Sequence, residues 1–326
     1  MAKAIDTKPL LGPFVMHGQA IIIYAKANAG KTLGILRLSL DAIYEGRLNA
    51  DDLLYVNADD SGKGLAEKVE LLERVGAHML APGYKGFKAN QFADKMQQAA
   101  EDGSARGRVV VIDTLKKFTN LMDKGRSSEF AQVCRQFVMA GGTVIALGHT
   151  AKNPNPDGTP RYQGTTDILE DFDGAYVAEA LVGRSGSSER VIRFTKEKAR
   201  ADSPDVVAYA YAAEAGLSYE DKVWSLRPVY PEELDDCALE AQEIDDQLVI
   251  EAIYGYLASG HGHLGKDKII RAASRDGDIS RAQAERVLDK YSGSDPERHH
   301  WSYVKGERGK RMYDLLPRRP STSDED

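Results

Sequence analysis

One octapeptide constrains this chain more than any other feature: Ala25-Lys26-Ala27-Asn28-Ala29-Gly30-Lys31-Thr32. It closes the apolar run AIIIYA at 20–25 and opens onto LGILRLSLDAIYEG, whose apolar residues recur at helical spacing. A turn between a buried strand and a helix aims backbone N–H groups and the helix's positive end at one point, an arrangement that binds phosphate. Within it, Lys31 is placed to reach the β- and γ-phosphates of a nucleotide, and the Thr32 hydroxyl to ligate Mg²⁺. Gly30 lets the backbone close around the phosphates. The pattern G-x-x-x-x-G-K-[ST] has glycine where this chain has Ala25, a small residue that fits if the backbone there avoids positive φ. The plainer alternative is a glycine turn with a surface lysine.

The surrounding pattern predicts strands at 20–25, 52–58, 77–80, 108–113, 143–149, 174–180, 190–198 and 206–212. Helices are predicted at 31–45, 64–75, 90–101 and 127–140. Several strands are unbroken apolar runs, which points to burial on both faces. The expectation is an α/β fold: a mostly parallel sheet flanked by helices.

Further candidates fall at strand ends, where ligands of parallel sheets collect. Asp113 ends VVVID and is placed to hold Mg²⁺ directly or through water, with a helix cap as its alternative role. LLYVNA runs into Asp59-Asp60, and Asp59 is the candidate to orient a water near the γ-phosphate. Both aspartates could instead cap the helix starting near Gly64. His149 ends TVIALGH, placed either to sense the γ-phosphate or to serve as a local hydrogen-bond partner.

Taken together, AKANAGKT, NADD, VVVIDTLKKF, and GHTAK followed by QGTTDILEDFDGAYVAE resemble the RecA-fold ATPases over about residues 10–215. The nearest likeness is to the branch of plasmid RepA-type hexameric replicative helicases and their phage relatives. That resemblance implies a RecA-like P-loop ATPase core that binds ATP and Mg²⁺ through residues 25–32 and Asp113. The family's acid after the second strand is glutamate; Asp59 stands there with a side chain one methylene shorter. The resemblance also implies a basic residue entering from a neighbouring subunit, here Arg200 or, second, Lys198 in RFTKEKAR, and hence a homo-oligomeric ring or filament. A solvated basic strand end is the alternative. The family's DNA-lining loops map to 119–128 and 151–167, making Lys124, Arg126, Lys152 and Arg161 candidates for single-stranded DNA, with Tyr162 available to stack.

Composition narrows the remainder. With 43 basic and 50 acidic residues, a formal charge of −7 and 42 % apolar content, the chain has a globular composition, not a disordered one. Its longest apolar run, Val206 to Ala213, is far short of a membrane span, and no signal-peptide core precedes a cleavage site. A cytoplasmic protein without membrane association is expected. Cys134 and Cys237 have no metal-type spacing, and no metal site is expected at His261/His263 or His299/His300.

The boundaries expected are an ATPase domain at 1–230, an acidic linker at 231–246, a small domain at 247–316 and a disordered tail at 317–326. The linker expectation rests on eight acidic residues with no basic one. The small domain reads as three helices, the third capped by Ser280, then a hairpin around GERGK with Trp301 and Tyr303 in its core. This pattern resembles a winged helix-turn-helix module, so Arg281, Arg286, Arg308 and Lys310 are candidates for duplex DNA.

The resulting expectation is a Mg²⁺-dependent ATPase acting on DNA, of phage or plasmid replicative helicase type. Two other classes stay open: an ATP-gated helicase loader or recombination mediator, and a DNA-binding regulator.

Overall fold

The computed structural model describes residues 8–84, 86–119, 123–151, 167–182, 188–200, 202–259, 263–275, 279–296, 298–306 and 309–316. Lys152, Arg161, Tyr162, Arg308 and the tail 317–326 lie outside the described residues. The chain divides into two compact units, Met1–Cys237 and Ala238–Asp326.

The first unit opens with a small antiparallel pair, β1 (Pro9–Leu11) and β2 (Val15–Met16). Then come β3 (Ala20–Ala25), α1 (Lys31–Tyr44), β4 (Leu53–Asn57), α2 (Gly62–Glu73), β5 (His78–Leu80), α3 (Phe92–Glu101) and β6 (Val109–Asp113). They are followed by α4 (Lys124–Met139), β7 (Thr143–His149), α5 (Asp167–Asp171), β8 (Gly174–Val182), β9 (Glu189–Ala199) and β10 (Val206–Ala212). Next are α6 (Tyr219–Trp224), β11 (Arg227–Val229) and the long helix α7 (Pro231–Ala258).

Among the described residues, nine strands form one mixed sheet in the order β11-β10-β9-β8-β3-β7-β6-β4-β5. From β5 to β8 every pairing is parallel; from β8 to β11 every pairing is antiparallel. The unbroken apolar strands are explained by two cores, one on each face. In β3, Ile21, Ile23 and Ala25 enter one core while Ala20, Ile22 and Tyr24 enter the other. In β6, Val109 and Val111 face the first core, Val110 and Ile112 the second.

This register also builds the site. Asn57 pairs with Asp113, Asp113 with Leu147, and Ala25 with His149, so the carboxyl ends of β4, β6, β7 and β3 share one edge. The α/β expectation with a largely parallel sheet therefore holds.

Some local expectations differ from the structure. Residues 124–128, expected in a loop, are the first turns of α4, because the Asp123 side chain accepts from the Arg126 N–H and caps the helix early. The stretch 231–246, read as a solvated linker, is helical and opens the 28-residue α7. Within this stretch, Cys237 packs with Val191, Ala208, Ala210 and Val229, and Asp246 is completely buried. Helix α6 had too few residues to show apolar periodicity, but its Ser218/Asp221 capping box is a legible start signal.

In the second unit, β12 (Leu264–Gly265), α8 (Lys266–Ala273), α9 (Arg281–Lys290), β13 (Trp301–Lys305) and β14 (Arg311–Leu315) follow the end of α7. The strands form an antiparallel sheet in the order β12-β14-β13. Val249, Ile253, Ile269, Val287, Leu288 and Trp301 are among its core residues. Ser280 and Gln283 make a capping box at α9. Trp301 is fully buried and its indole N–H donates to the Leu288 carbonyl at 2.8 Å. Tyr303, expected in the core beside it, is instead 37 % exposed, with the Arg311 guanidinium 4.6 Å from its ring centroid. It lies two positions along from Trp301, so the pleat points both the same way, but only Trp301 has helix α9 over it.

Among the described residues, no helix is long and apolar enough to cross a membrane.

Candidate functional site

The octapeptide forms the turn between β3 and α1. Gly30 is the residue before the helix and has φ 86°, a left-handed conformation that glycine adopts without steric cost. Ala25 is a buried, extended strand residue paired with both His149 and Ala178, so glycine is not required there. No side chain caps α1 and no acid sits in its first turn, which leaves the amino-terminal N–H groups and the helix dipole for an anionic ligand. Ala27, Asn28, Ala29, Gly30, Lys31 and Thr32 line a cavity of about 480 Å³, whereas Lys26 is exposed and outside that lining.

Beneath the cavity, Asp113 is 1 % exposed. Its Oδ2 accepts from the Thr32 hydroxyl at 2.8 Å and lies 3.5 Å from the Tyr55 hydroxyl, while its buried Oδ1 has no hydrogen-bond partner among the described residues. Burial pushes this carboxyl up, against the pull of Lys31 and the Thr32 hydroxyl. A buried carboxylate oxygen without a partner, next to a hydroxyl, is a hard-oxygen donor set that suits Mg²⁺. Thr32 and Asp113 are the residues that would hold it.

The two aspartates after β4 have different surroundings. The Asn57 side-chain oxygen accepts from the backbone N–H groups of Asp59 and Asp60 at 3.1 and 3.0 Å, which fixes the turn. The Asn57 amide donates to Asp60 at 2.7 Å, and the buried Lys68 ammonium of α2 is hydrogen-bonded to the same carboxylate. Burial works to raise the Asp60 carboxyl, but the Lys68 and Asn57 hydrogen bonds outweigh it and hold it below the ordinary aspartate value.

Asp59 lies on the cavity side, 3.6 Å from His149 Nε2 and 3.7 Å from Lys116 Nζ. Burial, then the charges of Lys31 and Lys116, lower the His149 pKa against the opposing effect of Asp59, which favours the neutral ring. No side chain caps α2, so neither aspartate has the capping role that the sequence left open.

Lys31, Thr32, Asp59, Asp113 and His149 thus meet at one sheet edge. Lys198 and Arg200 do not join them within the chain. Lys198 is level with Ala175 and Ala199 with Gly174, itself level with Ile21, so they lie toward the opposite edge. Lys198 donates to the carbonyls of Leu169 and Glu170 at 2.7 and 2.8 Å, and Arg200 pairs with Asp173 at 3.0 Å.

The DNA candidates divide similarly. Lys124 and Arg126 are exposed at the start of α4, where Arg126 borders a groove of about 990 Å³ between α3, α4 and residues 116–119. Arg281 is 3.7 Å from Asp267, and Lys310 is exposed. Arg286 is bound to the buried Asp246 at 2.6 Å, alongside Lys290 at 2.7 Å and the Tyr291 hydroxyl at 3.0 Å. Its expected availability to DNA is therefore corrected: its charge neutralises a buried carboxylate that ties α7 to α9.

Sequence reasoning missed Lys68, Arg190, Tyr211, Tyr219 and Lys222, all of which line the same cavity. They come from α2, β9, β10 and α6, and only the folding of the late strands brings most of them to the phosphate turn.

Residues 5–155 match the model of a family described as AAA domain (AAA_25). That segment is thus similar to a P-loop ATPase domain of the RecA-like kind. No curated protein matches the chain.

Proposed function

We propose that this chain is a Mg²⁺-dependent ATPase acting on DNA in replication or recombination, in the manner of a phage or plasmid replicative helicase. The observation that carries the nucleotide part is the uncapped amino terminus of α1 set over the Thr32–Asp113 pair, with an orphaned carboxylate oxygen. Lys31 and the α1 N–H groups bind the β- and γ-phosphates. Thr32 and Asp113 would hold Mg²⁺, whose charge would offset that developing on the phosphates. Asp59 orients the attacking water, and neutral His149 senses the γ-phosphate and relays its loss to the chain that follows β7.

Arg200, or Lys198, is the cation proposed to enter a neighbouring subunit's site in a ring or filament. On engagement it must release its bonds to Asp173 or to the Leu169 and Glu170 carbonyls. Single-stranded DNA is assigned to Lys124, Arg126, Lys152 and Arg161. The helices and hairpin of the second unit suit a winged helix-turn-helix module whose duplex contacts fall to Arg281, Arg308 and Lys310, since Arg286 is committed to Asp246.

A second reading, an ATP-gated loader or mediator without unwinding activity, is favoured by one detail. The short Asp59 side chain lies between His149 and Lys116 at 3.6 and 3.7 Å, a geometry that suits slow, timer-like hydrolysis. ATP turnover with and without single-stranded and duplex DNA separates the two, with Lys31→Ala as the blank. Strong stimulation by single strands is the expected result for a motor. Slow, DNA-indifferent turnover with retained ATP binding overturns the helicase reading in favour of the loader.

A further inference from the structure

The cavity at the phosphate turn has a wall contributed by residues beyond the 5–155 segment that matches the AAA domain family. Strand β9 begins on the same sheet edge as the turn. Ala178 of β8 is level with Ala25, and Val182, four residues further along β8, is level with Arg190, which is also paired in register with Tyr211 of β10. Arg190 is exposed, and among the described residues it makes no ion pair. Helix α6 supplies Tyr219 and Lys222 to the same cavity. Among the described residues, Lys222 likewise makes no ion pair and the buried Tyr219 hydroxyl has no hydrogen-bond partner.

The charge around the cavity is unbalanced. Lys31, Lys68, Arg190 and Lys222 line it with only Asp59 and Asp60, and Lys68 is already spent on Asp60. Unpaired cations converging on an uncapped helix start define an anion site larger than the turn alone requires. A phosphate group held by the α1 N–H groups has further anionic oxygens, and these need donors from the opposite wall.

We infer that Arg190 and Lys222 are nucleotide-contacting residues supplied by the same chain that supplies Lys31, binding phosphate oxygens of the bound nucleoside triphosphate across the cavity from α1. Their role differs from that of Arg200 and Lys198, which lie toward the other edge and are proposed to act on a neighbour. The inference rests on the nucleotide reading of the site.

The test uses the full-length chain and a fluorescent ATP analogue. Arg190→Ala and Lys222→Ala are each expected to weaken binding about tenfold or more, the worth of one charge-assisted hydrogen bond, with unchanged melting temperature. Arg190→Lys is expected to recover part of the loss. Affinity within about twofold of the unmodified chain in both alanine variants overturns the inference.

Mixing then decides which chain provides the arginine. Arg190→Ala chains mixed with Lys31→Ala chains are expected to show no more turnover than the two alone, because neither has a complete site. Regained turnover means that Arg190 acts across subunits, and overturns the same-chain assignment. If the unmodified chain binds no better than Lys31→Ala, the nucleotide reading itself fails and takes the inference with it. Loss of binding in Lys31→Ala alone leaves that reading standing and removes only this one.

Discussion

Gly30 shows how tightly one residue is specified at the phosphate turn. Its φ of 86° is left-handed, and a Cβ added there would lie 2.7 Å from Ile192 Cδ1. Gly30→Ala therefore incurs the left-handed cost of about 1–2 kcal/mol and must also displace Ile192. A lower melting temperature and weakened ATP binding are expected together, read by thermal denaturation and by titration with a fluorescent ATP analogue.

The neighbouring aspartates separate chemistry from architecture. Asp59→Asn is expected to reduce kcat about a hundredfold or more while leaving melting unchanged, as for loss of a group that orients water. Asp60→Asn leaves the Lys68 ammonium buried without its ion-pair partner and is expected to cost about 1–3 kcal/mol of stability. Equal rate losses without destabilisation in both variants would contradict this division. The sequence placed both acids correctly at a strand end. It carried no sign of which one Lys68 neutralises, since that pairing depends on how α2 packs after the turn.

At the scale of elements, α7 is the clearest case of a pattern whose meaning depends on its surroundings. An acidic run ordinarily stays solvated, and the side chains of Glu232, Asp235 and Asp236 are not deeply buried. Asp246 ends the same run fully buried, with Arg286, Lys290 and Tyr291 around it. Burial works to raise its carboxyl, but these three hydrogen bonds outweigh it and hold the pKa below the ordinary aspartate value.

A lowered carboxylate contributes stability that is present above the unfolded-state pKa and lost as pH falls through the folded-state value. Asp246→Asn is expected to destabilise the second unit by about 1–3 kcal/mol near neutral pH, with the difference from the unmodified chain shrinking as the medium becomes acidic. The chain has two tryptophans, so Trp224→Phe leaves the buried Trp301 as reporter of this unit in denaturant titrations. A difference independent of pH would contradict the ion-pair account.

For the whole molecule, the division at Cys237 suggests where the chain can be cut. Ending it at 230 removes the partly buried Leu234 and the buried Cys237 from their cluster with Val191, Ala208, Ala210 and Val229, at an expected cost of about 1.5–3 kcal/mol in total. A chain ending at Cys237 keeps that cluster and is expected to melt higher than one ending at 230. It should also retain turnover that Lys31→Ala abolishes. Binding of single-stranded DNA by this shorter chain would assign the contact to the first unit, whereas its loss would assign DNA to the second.

What the sequence determined by itself was local or periodic. The strand, phosphate turn and helix at 20–44, the strand-end positions of Asp59, Asp113 and His149, and the Ser280 cap follow from residue spacing and turn chemistry. Tertiary structure alone decided which charges are committed. Arg286 and Lys290 go to Asp246, Lys68 goes to Asp60, and Lys198 and Arg200 bind their own chain, while Arg190 and Lys222 are brought to the phosphate turn without an ion-pair partner among the described residues. The physical reason is range: a helix or turn is specified within a few residues, but an ion pair depends on the packing of segments far apart in the chain.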